Sequence, residues 1–260
     1  MRSGHSTLVL LLVLFSTVAL AQNPNSSLAR WTVLVDPVCP VSSLYERPLP
    51  NATKEMRVLY FPAAKEAKLK NSESLTLDVG FNMPSSAGRP IVPSTRKISF
   101  TRNADYWEAI VPLEKQHAGY AIFAVQDDKS GNVDDNSGQL WDLVFCDPVG
   151  KKDPNGVLHE AQSYTDASWS PTLRRTKDYN KAISILENYL AQDSNANSSF
   201  FLLPNLWEYK AERDGGNAQA YTKLSKEIDQ YLAEHRDEKR AAATVGNFVV
   251  RHQDQSGPRQ

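Results

Sequence analysis

The sequence predicts an antiparallel β-sandwich followed by a small all-α domain of helical hairpins, and three observations carry that expectation. Apolar residues alternate at period two from Arg30 to Asp147. A Pro/Gly-rich break, "DPVGKKDPNG" at 147–156, ends the alternation. From Thr176 onward the apolar residues recur at helical spacing instead.

The chain opens with "MRSGHSTLVLLLVLFSTVALAQ", in which Arg2 precedes an apolar run from Leu8 to Leu20 and Ala19-Leu20-Ala21 forms a small-x-small cleavage site. Residues 1–21 therefore read as a secretory signal peptide, and the mature protein as secreted or periplasmic. The run is short for a membrane span, so no span is expected after cleavage, a retained anchor being the alternative. Residues 22–29 form a polar leader.

Residues 30–150 hold the sandwich. Trp31 to Val35 and Met56 to Phe61 read as its first two strands. In the third, Leu75, Leu77, Val79 and Phe81 share one face while Thr76 and Asp78 occupy the other. Ile98 to Thr101, Tyr106 to Val111, Tyr120 to Gln126 and Leu140 to Cys146 complete a set of seven, with turn-formers such as "NMPSSAGRP" at 82–90 between them. Short strands at this spacing describe an antiparallel, immunoglobulin-like sandwich.

Residues 151–175 read as a linker and 176–250 as the helical-hairpin domain. Tyr179, Ala182, Leu186 and Tyr189 form one stripe, backed by Ile183 and Leu190. A second helix, Ser199 to Arg213, places Pro204 near its start and Gly215 past its end as a C-cap. Asn217 can cap a third, with Tyr221, Leu224, Ile228 and Tyr231 on one face, and Ala241, Val245, Phe248 and Val249 mark a fourth. Each stripe needs a partner, so consecutive helices should pack as antiparallel hairpins. Residues 251–260 have no apolar anchor and read as a disordered tail.

The 29 basic residues nearly cancel the 30 acidic ones, and no Lys/Arg block stands out, which removes the electrostatic basis for binding nucleic acid or an anionic membrane. No G-x-S-x-G elbow or phosphate-cradling glycine loop is present, and His159-Glu160 lacks the second His of a zinc-protease helix. Outside the leader the histidines, His117, His159, His235 and His252, sit in polar contexts that suggest exposure. With 30 acidic residues no carboxylate pair can be singled out for glycosidase chemistry. The expectation is a protein without enzymatic activity. Export makes the only two cysteines, Cys39 and Cys146, candidates for a disulfide, two buried free thiols being the alternative.

One loop gathers the candidate site residues. "QDDKSGNVDDNSGQLWDL", Gln126 to Leu143, offers Asp127, Asp128, Asn132 and Asp134 as oxygen ligands, and calcium is the one cofactor they could hold. The EF-hand pattern fails there in every register, and a turn in which Asp and Asn bond their own backbone is the structural alternative. Trp107 and Trp141, with Asp134, Asp135 and Asn136, are the candidates for a sugar, because an exposed aromatic covers the apolar face of a pyranose.

The order "LTLDVGFN", "YWEAIVPLE", "YAIFAVQDDKSGNVDDNSGQLWDLVF" resembles starch-binding sandwich modules with a W-D-N-N-x-G signature. Asp134, Asp135 and Asn136 match D-N-N, but Val133 stands where those modules place a sugar-stacking Trp. Across about Arg57 to Asp147 the chain is also similar to the amino-terminal region of exported bacterial thioredoxin-like proteins of the TlpA/ResA type, and the helices from Thr176 resemble their middle segment and tetratricopeptide pairs. No C-x-x-C occurs in the 260 residues, so the resemblance implies no redox activity of this chain's own. The resulting expectation is an exported binding or scaffold protein whose partner is an envelope protein or a glycan. Two alternatives stand beside it: an accessory or truncated part of a thiol-disulfide system, and a carbohydrate-binding module proper.

Overall fold

A computed structural model describes residues 31–34, 55–64, 67–82, 93–113, 119–146, 149–165, 170–193, 196–236, 238 and 240–252. Among these residues nine strands come first: β1 (Trp31–Leu34), β2 (Glu55–Tyr60), β3 (Leu75–Asn82), β4 (Pro93–Ser99), β5 (Thr101–Arg102), β6 (Trp107–Pro112), β7 (Tyr120–Asp127), β8 (Val133–Asp134) and β9 (Trp141–Val144). Five helices follow among the described residues: α1 (Pro154–Gln162), α2 (Tyr179–Gln192), α3 (Ala196–Arg213), α4 (Ala218–Glu234) and α5 (Ala241–His252). The leader 1–21, Cys39 and His117 lie outside the described residues. Among the described residues no helix is long and apolar enough to cross a membrane.

The strands form two antiparallel sheets, one ordered β1-β2-β6-β5 and the other β4-β3-β7-β8, with β9 also on β7. Alternation explains their facing surfaces. Met56, Val58 and Tyr60 of β2 and Trp107, Ala109 and Val111 of β6 meet Leu75, Leu77, Val79 and Phe81 of β3 and Ala121, Phe123 and Val125 of β7 in one apolar core. Strand β7 is buried on both sides: Tyr120, Ile122 and Ala124 point away from that core into a second one, shared with α1, α2 and α3. A strand covered on both faces reads as a continuous apolar run, as "YAIFAV" does.

Register exposes an irregularity in the last hairpin. Val125 lies opposite Asp134 and Phe123 opposite Trp141, so two steps along β7 correspond to seven along its partner, a surplus of five residues. The surplus is taken up by a tight excursion in which Asn136 (φ 55°), Ser137 (φ 57°), Gly138 (φ 81°) and Leu140 (φ 53°) are left-handed. Only Gly enters that region freely, so the three others store strain that surrounding bonds must hold. Leu140 N–H donates to Asp135 O at 2.8 Å, and Asn136 Nδ2 donates to Leu140 O at 3.1 Å.

Residues 151–175, expected as a linker, contain α1. Asp153 caps it by accepting the Asn155 N–H at 2.8 Å, and Pro154 occupies its first position, where no N–H is needed. Just beyond α1, the hydroxyls of Ser170 (3.3 Å) and Thr172 donate to the buried Asp78 Oδ2, which seats 170–173 on β3. Asp178 and Asn217 cap α2 and α4. Helix α3 begins at Ala196, so Pro204 stands in its interior, not near its start, and the Phe200 carbonyl lacks its usual ladder donor. Gly215 (φ 106°) and Gly216 (φ 60°) end α3. A third core joins Trp207 and Ala211 of α3, Leu224 and Ile228 of α4 and Phe248 of α5. Helix α5 runs through Arg251 and His252, two residues into the expected tail.

Candidate functional site

The acid-rich loop resolves into three parts. At the tip, Asp127 folds the turn on itself: its Oδ1 accepts the N–H groups of Lys129 (2.9 Å) and Ser130 (2.8 Å). The Ser130 N–H foremost, then the Ser72 hydroxyl, lower its carboxyl to about 2. Asp128 is exposed, and its N–H donates to Ser74 O at 3.2 Å, tying the tip to the neighbouring loop. Between tip and loop lies an open polar cleft of about 390 Å³, lined by Lys68, Lys70, Asn71, Ser72, Ser130 and Asn132 among others.

Behind the tip, Asp134 faces the core at 0 % exposure. Its Oδ2 accepts the Tyr60 hydroxyl (2.9 Å) and the Lys68 N–H (3.2 Å), while the Tyr60 oxygen accepts the Leu69 N–H (3.1 Å). Asp134 thus pins one sheet and the 67–69 loop to the other sheet. Asp134→Ala strands the buried Tyr60 hydroxyl and Lys68 N–H, and the expected loss is about 2 kcal/mol, read from the urea midpoint at unchanged m-value. Asp135 reaches the other way, to Lys68 Nζ at 2.9 Å in an exposed pair.

The candidate metal ligands Asp127, Asp128, Asn132 and Asp134 are therefore not converged. Asp127 serves the tip, Asp134 serves Tyr60, and Asp128 faces solvent; among the described residues no cluster of three or more Asp, Glu, His or Cys side chains could hold a metal ion. The candidate sugar-stacking rings are in the core: Trp107 is 4 % exposed, with the Arg102 guanidinium 5.4 Å from its ring centre, and Trp141 is 9 % exposed. Little ring surface is left for a pyranose. Asn136 spends its side-chain amide inside the excursion. Cys146 is disulfide-bonded.

The third part was not anticipated. The excursion's carbonyls meet the segment that leads into α2: Thr176 N–H donates to Gly138 O (3.2 Å) and Arg175 Nε to Gln139 O (2.7 Å). The Arg175 side chain is only 2 % exposed. Its Nη1 donates to the Tyr120 hydroxyl (3.1 Å) and to Ser163 Oγ (2.6 Å) and forms an ion pair with Asp142 Oδ2 (2.8 Å), and its guanidinium lies 4.3 Å from the Tyr164 ring centre. The Tyr120 hydroxyl donates to Asp142 Oδ2 at 2.9 Å. Burial, then the Asp142 charge, holds Tyr120 well above the ordinary phenol range, and Arg175 opposes both. Burial, then Asp142, also raises Glu160 on α1. One guanidinium therefore joins β7, β9, the strained excursion and the end of α1. With Tyr120, Ser163 and Arg175 closed to solvent, the arrangement acts on how the parts of the protein are held together.

Only one hint in the sequence pointed there: an Arg pair, Arg174-Arg175, a few residues before α2. Neither period two nor helical period marks it, because the segment is neither strand nor helix. The sequence also misplaced His159, which is buried and not at the surface, since it shares a helix face with Gly156 and Ser163, both buried, and Gly156 on that face meets the Gly119 carbonyl and Val144. The chain matches no family model, no curated protein and no solved structure.

Proposed function

We propose that the chain is an exported, non-enzymatic binding or scaffold protein of the cell envelope, an immunoglobulin-like sandwich that carries tetratricopeptide-like helical hairpins in a fixed orientation and presents them to an envelope protein or glycan. The observation that carries this reading is the Arg175 junction. A buried guanidinium held from both Nε and Nη1 ties the segment before α2 to the sheet and to the end of α1, which a flexible linker would not do. Stacked helix pairs are a common platform for protein contacts, and a fixed platform loses less entropy on binding than a tethered one. The disulfide at Cys146 supports export, because such bonds persist in oxidising compartments.

The test is capture from the host's envelope extract on immobilised mature chain, run with calcium and with chelator, beside the Arg175→Leu variant. The expected result is a retained protein or glycan that the variant holds more weakly. An eluate with no enriched species under either condition overturns the reading. Retention that chelator abolishes and Arg175→Leu leaves intact would move the binding site to the Asp127 tip.

A further inference from the structure

Helix α1 carries one polar group that its surroundings do not satisfy. His159 is 1 % exposed; its Nδ1 lies 3.3 Å from Gln162 Oε1, and its Nε2 is buried with no hydrogen-bond partner among the described residues. A neutral imidazole offers one N–H and one lone pair, so the Gln162 oxygen can satisfy Nδ1–H and leave Nε2 as a bare lone pair. An imidazolium has a second N–H and a charge, and here the one finds no acceptor among the described residues and the other sits in a seat 1 % exposed. The seat fits the neutral ring alone.

The position of this misfit matters more than its size. Among the helices, α1 makes the principal contact with the strands, packing on β7 and β9, and α2 and α3 pack on α1 in turn. Gly156 meets the Gly119 carbonyl, and Val157 and Ala161 share their core with Ile122 of β7 and Leu186 of α2. What disturbs α1 disturbs the bearing between the sheets and the helical array.

We propose that His159 is an acid-sensitive joint: on taking up a second proton it unseats α1 from β7 and β9 and uncouples the helices α2 to α5 from the sheets, whose own core stays closed. The inference concerns how the protein moves and does not depend on which partner it holds.

Among the described residues the charged and titratable groups around α1 are its cap Asp153, Glu160 on the helix, Lys152 before it, Tyr164 after it, Tyr120 on β7, Asp142 on β9, Arg175, and Lys181 and Tyr189 on α2; α3 contributes Leu202, Leu206 and Tyr209 to the shared core. Asp142, Lys152, Arg175 and Lys181 act on Glu160, whereas His159 responds to burial, which pulls it down to about 4, with Gln162 opposing. The signs are opposite. A base lowered on folding stabilises the docked state above its free value of 6.5 and loses that contribution as pH falls to about 4. An acid raised on folding, Glu160, is relieved by the same fall. Acid undocking therefore belongs to His159 and not to its neighbour.

The experiment is hydrogen exchange of the whole mature chain between about pH 7 and about pH 4.5, corrected for intrinsic rates, on wild type, His159→Gln, His159→Leu and Glu160→Gln. In wild type, amides of α1, α2 and α3 are expected to lose protection about fiftyfold relative to β3 and β7 on acidification, the factor that proton linkage allows over this range. Both His159 variants should remove the acid response, and Glu160→Gln should keep it. Equal loss in helices and strands, or an unchanged response in the His159 variants, overturns the proposal. So does a His159 ring that titrates near 6.5 by NMR while the helices stay protected.

Discussion

Arg175→Leu is expected to lose about 3 kcal/mol of stability, because removing the buried member of the pair leaves the charge of the partly buried Asp142 uncompensated. Asp142 would be the stranded carboxylate, beside a Tyr120 hydroxyl and a Ser163 hydroxyl that have each lost their donor. The measurement is the urea midpoint followed by far-UV signal, which reports the helices, and by tryptophan emission, which reports the sandwich core through Trp107 and Trp141 and the third core through Trp207. Arg175→Lys should recover only part, since an ammonium cannot reach Gln139 O, Ser163 and Asp142 with one planar fork. Arg175→Leu combined with Asp142→Leu should be more stable than Arg175→Leu alone. If the double variant is instead additive, the buried charge is not what the single substitution exposes.

Gly156→Ala comes second and runs against helix propensity. In an exposed helix the change would stabilise by about 1 kcal/mol. Here the new methyl would lie 2.0 Å from Gly119 O and 3.0 Å from Val144 Cγ1. The nearest atom is backbone of the residue just before β7, a strand buried on both faces, and it cannot rotate aside, so α1 must move. Overpacking of this kind costs about 3 kcal/mol and outweighs the propensity gain. The expected result is a lowered thermal midpoint with exposed α1 amides; a raised midpoint would mean that α1 does not sit on Gly119.

Much of this fold was legible in the chain because alternation and caps are local. Leu75, Leu77, Val79 and Phe81 announced β3 by their spacing, and Asn217 announced α4. Two kinds of residue escaped. Polar side chains such as Asp134 and Asp127 looked alike in sequence, two acids in one turn, yet one is enclosed between sheets and the other ties a surface turn. Their burial depends on Tyr60 and Ser72, which lie far away in sequence. Segments without a period escaped as well: nothing local reveals that Arg175 threads back over Gly138 and Gln139, or that α1 occupies part of an expected linker.

By itself the sequence determined the principal strands and the helices α2 to α5, the near-neutral charge and the presence of an acid-rich hairpin before the last strand, all properties that a residue shares with its near neighbours. The tertiary structure alone decided that Trp107 and Trp141 pack inward, that the hairpin's acids go to separate partners, and that one guanidinium and one unsatisfied imidazole stand at the bearing between sheets and helices. The physical reason is the same in each case. Whether a charge, a ring or an imidazole costs or contributes free energy is set by what surrounds it, and here the surroundings come from parts of the chain that only folding brings together.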